Sequence, residues 1–312
     1  MDPLSHLVTL LDPRGRMELR CLFGAAFAAP HDATGPWRAP FHVVLRGECE
    51  LWLPESRQAI ALHPGSLLVL PRGAAHTLRA SASRAGARIR TQPGALVDVK
   101  TNVRDPGLAD IEILCGEFEF RGRRRSALLE ALPECLVVEF AERPEFGWLQ
   151  GLLRMMAHEI AHQDAGAAAI VAELSGAVFT LAVRAHLETQ PEHAGVLGLM
   201  ANARLAPALA AMLESPGEPW TVQSLAARCH LSRAAFARLF AQHARTGPLE
   251  LLTSLRMELA SRLLAIGEQD TATIGEAVGY RSEAAFNRAF ARHAGTTPGR
   301  YRRGERAAAT AG

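Results

Sequence analysis

Ser232-Arg233-Ala234-Ala235-Phe236-Ala237-Arg238-Leu239-Phe240 and Ser282-Glu283-Ala284-Ala285-Phe286-Asn287-Arg288-Ala289-Phe290 are two versions of one pattern, 50 residues apart. Extended without gaps, residues 224–248 and 274–298 share 12 of 25 positions. Each copy has the grammar of a helix-turn-helix. A first helix, Val222–Arg228 or residues 274–278, offers small side chains where a second helix must cross. A short turn follows, with Gly279 in the second copy and Cys229 expected in its place in the first. Ser232 and Ser282 stand where an N-cap is wanted, because a serine hydroxyl oxygen accepts from the free amides of a first turn. Phe236 and Phe240, or Phe286 and Phe290, lie one turn apart and can bury on one face. Arg238 and Arg288 then point away from it.

The charge distribution agrees with this reading. From Thr221 onward there are 13 arginines and no lysine against 7 acids, a balance of +6, while the first 220 residues balance at −4. The chain's overall +2 conceals a basic third suited to an anionic partner. At 48% hydrophobic and 21% charged residues, the composition excludes disorder and supplies apolar material for two cores. No run of about 18 uncharged apolar residues occurs, so no membrane segment is expected. Met1-Asp2-Pro3-Leu4 shows no basic region before an apolar core, so a secretory signal is not expected either. Five cysteines (Cys21, Cys49, Cys115, Cys135, Cys229), without a C-x-x-C pair, argue against a disulfide framework or zinc knuckle and for a reducing cytoplasm.

Residues 200–303 resemble the double helix-turn-helix DNA-binding domain of the AraC family of transcription regulators. The resemblance rests on the repeat, on Trp220-Thr221-Val222 opening the first copy, and on a connecting helix over 251–264 carrying Arg256 and Ala260. It also rests on Thr273-Ile274-Gly275-Glu276-Ala277-Val278-Gly279-Tyr280 and on Thr297-Pro298-Gly299-Arg300-Tyr301-Arg302. It implies that two recognition helices enter successive major-groove segments of a double-stranded operator. The first would present Arg233, Ala234, Ala237 and Arg238, and the second Glu283, Ala284, Asn287 and Arg288. Arg238, Asn287 and Arg288 are the expected base readers, because arginine forks onto guanine and asparagine pairs with adenine. Arg233 and Arg281 are assigned to phosphates. RNA polymerase is the further partner the resemblance implies.

The preceding sequence reads differently. Short apolar or alternating runs at 41–45, 49–53, 67–70 and 111–115 are separated by Arg46-Gly47, Pro64-Gly65, Pro71-Arg72-Gly73 and Asp105-Pro106-Gly107. They predict an antiparallel sandwich or barrel. Residues 81–110, rich in Ala, Arg and Gly, are expected to include a mobile loop. Residues 146–163 and 167–188 carry apolar side chains at helical spacing and predict two amphipathic helices. Their stripe of Leu149, Leu152, Leu153, Met156 and Ile160 must bury against the barrel or, in a homodimer, against a second copy. Residues 191–195 break the pattern as a linker. The expectation is therefore a two-domain α+β chain. It has a sensor barrel over 1–125, a helical coupling or dimerisation region over 126–195, and an all-α double helix-turn-helix domain over 200–304.

Gly65-Ser66-Leu67-Leu68-Val69-Leu70-Pro71-Arg72-Gly73-Ala74-Ala75-His76 resembles the second motif of cupins, with Ala80 where that motif ends in asparagine. The resemblance makes His76 a candidate metal ligand, joined by His42 on its strand and by His31. The first cupin motif, with its paired histidines and glutamate, is missing, so no complete ligand set can be read and no cofactor is assigned. A degenerate cupin joined to an AraC-type tail is most similar to the reactive-chlorine-responsive branch of the family. That resemblance implies redox sensing by Cys21 and Cys115, activation of transcription by an oxidant such as hypochlorous acid, and no enzymatic role. Arg20, beside Cys21, is the candidate for favouring a thiolate. Cys49, Cys135 and Cys229 read as buried small hydrophobes. Two alternatives stay open: a barrel that binds a small molecule or metal ion, and a cupin metalloenzyme fused to a DNA-binding tail.

Overall fold

The computed structural model describes all residues except 36, 81–87, 95, 121–125, 141–142, 163, 191 and 312, and for 308–311 the backbone alone. In chain order, helix α1 (Pro3–Leu11) precedes strands β1 (Pro13–Phe23), β2 (Ala28–His31), β3 (Arg38–Arg46), β4 (Cys49–Leu53) and β5 (Gln58–Leu62). Strands β6 (Ser66–Val69), β7 (His76–Arg79), β8 (Arg90–Gln92), β9 (Asp98–Thr101) and β10 (Ile111–Phe120) follow. Then come α2 (Ala127–Ala131), β11 (Leu136–Glu139), α3 (Gly147–His162), α4 (Ala167–Thr189), α5 (Gly195–Ala201) and α6 (Ala206–Glu214). The chain ends with α7 (Val222–Arg228), α8 (Arg233–Ala244), α9 (Pro248–Ile266), α10 (Thr271–Ala277), α11 (Glu283–Ala294) and α12 (Pro298–Ala311).

These elements form two compact units that interleave in sequence. One, labelled the sensor after the role expected of it, comprises Pro13–Glu119 and Pro133–Thr189; the other comprises Met1–Asp12, Phe120–Leu132 and Gln190–Gly312. A division into consecutive segments near 125 and 195 does not anticipate this, because α1 and α2 lie far in sequence from the helices they join.

The sensor holds a seven-stranded sheet, ordered β11-β6-β3-β10-β1-β9-β8, and a four-stranded sheet, ordered β2-β7-β4-β5. Among the described residues the hydrogen bonding stays within two sheets rather than closing a ring, and β1 with β9 forms a parallel pair while β3 pairs antiparallel with both β10 and β6. Side chains of both sheets, including Phe23, Phe27, Leu51, Leu68, Leu78 and Ile113, make one core. Alternation explains it: most inward residues of the strands are apolar and pack between the two sheets. Gly73 holds the tight turn before β7 at φ +63°, where a Cβ would come within 2.4 Å of the Gly35 carbonyl oxygen. Part of 81–110 is ordered, as β8, β9 and a short 3₁₀ turn at Pro106–Leu108, while residues 81–87 of the expected loop lie outside the described residues.

Helices α3 and α4 pack on the sensor as the stripe required. Leu149, Leu153, Met156 and Ile160 are buried, and Leu152 is half-buried. Helix α4 is apolar enough in composition to cross a membrane, with a mean hydropathy of 1.6 over its best window. It instead lies against β1 and α3, with Val171, Val178, Phe179 and Ala182 buried and the Phe179 ring 5.3 Å from that of Phe118. That is the environment of a core helix.

In the other unit, α7/α8 and α10/α11 are the two helix-turn-helix copies, and α9 runs between them. Phe236 and Phe240 are buried with ring centroids 5.4 Å apart, and Phe286 and Phe290 likewise at 5.7 Å. The caps match expectation: Ser232 Oγ accepts from the Ala235 amide at 3.2 Å, and Ser282 Oγ from the Ala285 amide at 3.3 Å. The turns correct one expectation. Helices α7 and α10 are capped at Thr221 and Asp270, an offset of 49 residues, so Cys229 is equivalent to buried Val278 and not to Gly279. His230, at φ +52°, takes the left-handed position of Gly279 at φ +89°. The second turn is one residue longer, the extra one falling before Ser282, and the gapless comparison is out of step ahead of it.

Candidate functional site

The faces expected to recognise DNA are solvent-facing because the phenylalanines claim the opposite side of each helix. Arg233, Ala234 and Arg238 of α8 are exposed, as are Glu283, Ala284 and Arg288 of α11 and Arg281 just before it. Ala237 and Asn287 are half-buried. The Asn287 amide oxygen is buried with no hydrogen-bond partner among the described residues. Bidentate pairing with adenine therefore requires that side chain to turn outward.

Inside the sensor, β1 and β10 are neighbours in the larger sheet and bring Cys21 and Cys115 together from 94 residues apart. The two Sγ atoms are 3.4 Å apart, and both thiols are reduced and buried. The Cys115 thiol is pushed well above its usual range by its hydrogen bond with Cys21 and by burial, while the charge of Lys100 pulls it down. Lys100 is the chain's one lysine and stands opposite Cys21 in the parallel register of β1 and β9. Arg20 does not serve the thiols. Strand alternation turns it to the other face, where its Nη2 meets the Glu112 carboxylate at 2.7 Å. The cation near the sulfurs comes from β9, a strand the sequence pattern does not announce. Burial pushes the thiols of Cys49 and Cys135 up to about 12, which suits inert packing residues.

The histidines converge as well. His31 of β2 and His76 of β7 are cross-strand partners in the smaller sheet, with rings stacked 4.6 Å apart. His42 of β3 reaches them from the larger sheet, its Nε2 at 2.8 Å from His76 Nε2. One nitrogen from each of the three lies within 4.8 Å of the others. His42 and Cys115 are paired in the β3–β10 register, so histidines and thiols share one interior. Burial is the first cause holding these imidazoles neutral: His31 is pulled down to about 3, with His76 and Lys100 adding to the effect, and His42 lies well below its ordinary value.

Comparison with known proteins bears on both units. Residues 2–188 match the cupin family and residues 225–304 the helix-turn-helix domain family. The chain is 32% identical to the RCS-specific HTH-type transcriptional activator RclR of Escherichia coli K12 over 85% of this chain and 84% of that protein. It is 33% identical to a putative AraC-like transcription regulator of Streptomyces lividans over 86% of each chain. The protein belongs to the AraC-type transcription regulators with an N-terminal cupin domain. Among solved structures, the DNA-binding domain of AdpA in complex with a target DNA is 31% identical and covers 36% of this regulator and 100% of that domain, with a TM-score of 0.34.

Sequence reasoning names Arg238, Arg288, Cys21 and Cys115 in this AraC-type regulator, and the structure places the two arginines on exposed helix faces and the two cysteines side by side. The same reasoning left His31 without a fixed partner, because the stretch from His31 to Pro40 lacks the paired histidines of the first cupin motif, and it missed Lys100 altogether. It also passed over Glu258 of α9, which is buried and accepts from the Ala127 amide at 2.8 Å. Burial pushes that carboxyl up to about 8. A glutamate at a helical core position, where the periodicity asks for an apolar residue, is the signal that could have found it.

Proposed function

We propose that the protein is a cytoplasmic regulator that activates transcription when an oxidant such as hypochlorous acid couples Cys21 to Cys115. The observation that carries this reading is the 3.4 Å approach of the two buried sulfurs. A disulfide needs about 2.05 Å, so closure asks for a movement of little more than an ångström. A thiolate attacks the chlorine of hypochlorous acid, giving a sulfenyl chloride and hydroxide. The second thiolate displaces chloride and forms the disulfide. In total, two thiols and one hypochlorous acid give one disulfide, chloride, a proton and water. The likeness to an activator described as RCS-specific, read as reactive chlorine species, supports the choice of oxidant.

The output side of the proposal is operator binding through α8 and α11. Arg238, Asn287 and Arg288 read bases, Arg233 and Arg281 hold phosphates, and Ala234, Ala237, Glu283 and Ala284 complete the faces. RNA polymerase is the downstream partner. A homodimer through α3 and α4 belongs to the same reading, with Trp148, Met155 and Ile170 exposed there; a monomer mass at micromolar concentration overturns that part. The deciding test of the sensor is non-reducing peptide mass spectrometry after stoichiometric hypochlorous acid. A Cys21–Cys115 linked peptide, absent from the control and reversed by dithiothreitol, is expected. If both cysteines stay reduced while other residues oxidise, the thiol mechanism fails.

A further inference from the structure

We propose that α3 carries a binding site for a divalent cation of the zinc class, shared between two parallel copies of the helix, with His158 and His162 of each copy as its ligands. The site rests on the homodimer reading given above and adds to it a metal and an orientation. Residues His158-Glu159-Ile160-Ala161-His162 place two histidines four apart, one above the other on one helix face, the spacing by which a helix chelates a metal. Both imidazoles are exposed, and their rings stack with centroids 3.9 Å apart. His162 Nδ1 lies 3.0 Å from the His158 carbonyl oxygen. A carbonyl only accepts, so that nitrogen holds the proton and His162 Nε2 is left as a bare lone pair. A backbone carbonyl that orients an imidazole in this way is the usual second layer of a histidine metal ligand.

The rest of the helix face points to what completes the coordination. Trp148, Gly151, Met155, His158 and His162 follow one another at steps of three, four, three and four residues, and all are exposed. At about 100° per residue they fall within a sector of about 80°, on the side away from the buried Leu149, Leu153, Met156 and Ile160. A solvent-facing sector ordinarily carries charge, yet this one holds no Asp, Glu, Lys or Arg. Its steps are those of a coiled-coil seam, with Trp148, Met155 and His162 at a positions and Gly151 and His158 at d positions. Such a seam pairs with a helix of the same pattern, and a second copy supplies one under two-fold symmetry.

The flanking charges choose the direction. Arg154 is exposed at a g position and Glu159 half-buried at the following e position. In a parallel pair each arginine faces the glutamate of the other copy, whereas an antiparallel pair sets like charges against each other. Parallel alignment also brings both histidine pairs to one level. One pair fills half of a tetrahedral zinc sphere, and the identical pair fills the other half. Neutral imidazoles suit Zn²⁺ rather than Mg²⁺ or Ca²⁺. The site uses neither the thiols nor the interior histidines of the sensor.

The test is sedimentation equilibrium of the reduced full-length protein, in chelator and in micromolar Zn²⁺, beside the His158→Ala/His162→Ala variant. Both side chains are exposed, so their removal leaves the core untouched. Zn²⁺ is expected to tighten wild-type dimerisation by more than about tenfold and to leave the variant unmoved. Bound zinc should fall by one per two protomers between wild type and variant, a difference that cancels zinc held elsewhere. Glu159→Arg should weaken the dimer, and Arg154→Glu/Glu159→Arg should restore it. A dimer indifferent to zinc overturns the metal site and leaves the homodimer standing, while a monomer in both conditions overturns both. Tightening by zinc that persists in the histidine variant also overturns the site. Failure of the charge swap to restore pairing overturns the parallel alignment.

Discussion

Arg238 and Arg288 occupy equivalent places on α8 and α11, exposed on the face opposite the buried phenylalanines. If Arg238 reads a guanine, Arg238→Ala loses about 1–3 kcal/mol on the cognate operator and relaxes preference at one base pair. Binding to base-permuted operators measures both, and a uniform loss across all sequences reassigns the residue to phosphate. Lys100 makes a second single-residue case. Lys100→Met removes the charge that holds the Cys115 thiol down, so oxidation of the pair should slow several-fold at neutral pH. Timed alkylation quenches after hypochlorous acid follow the loss of both thiols; a wild-type rate clears Lys100 of any role. The two residues differ in how far the sequence discloses them. Arg238 is legible because a repeat fixes its phase against two aromatics. Lys100 acts through a parallel β1–β9 pairing between strands about 80 residues apart, and nothing local to β9 reports which strand it will join.

At the scale of the element, α2 depends on a residue of α9. The short helix begins at Ala127, whose amide donates to the buried Glu258 carboxyl. Burial raises that carboxyl from 4.5 to about 8, so the folded state keeps a proton that the unfolded chain releases above 4.5. Stability from this group is full below pH 4.5 and drains away as pH rises toward 8. Glu258→Gln keeps an acceptor oxygen and cannot titrate. The urea midpoint of the variant minus that of the wild type should therefore grow between pH 5 and pH 8, and a constant difference refutes the linkage. Helices with strong periodicity and caps, such as α8 and α11, stand close to where the pattern puts them. The β8 and β9 strands are hidden because they are only three and four residues long, and their order comes from the pairing of β9 with β1 and of β8 with β9. The place of Cys229 is obscured for a similar reason, since one extra residue in the second copy shifts everything ahead of it while α8 and α11 stay in register.

At the scale of the molecule, the two strands that bear the thiols are also two that run directly into the other unit. Strand β1 starts at Pro13, immediately after α1, and β10 ends at Phe120, where the chain passes from the sensor to the unit that contains α2. Helix α1 packs on α6 and α9, and α2 on α5 and α9, all in the unit that holds α8 and α11. A disulfide between Cys21 and Cys115 would thus pull on strands continuous with two segments seated among those helices. Sequence patterning announces neither α1 nor α2, and a unit assembled from three stretches leaves no local mark of its membership. If the strain travels along the chain, inserting Gly-Ser-Gly between Asp12 and Pro13 should separate sensing from response. The linked peptide should form as in the wild type, while oxidant-dependent transcription from the operator falls several-fold. The same insertion in the turn at residues 54–57, which connects only β4 and β5, should leave the response intact. Disulfide yield and transcript level, measured on the same reaction, distinguish the outcomes. A full response from the first insertion would mean that β1 carries no part of the signal and would leave β10 and α2 as the path to test.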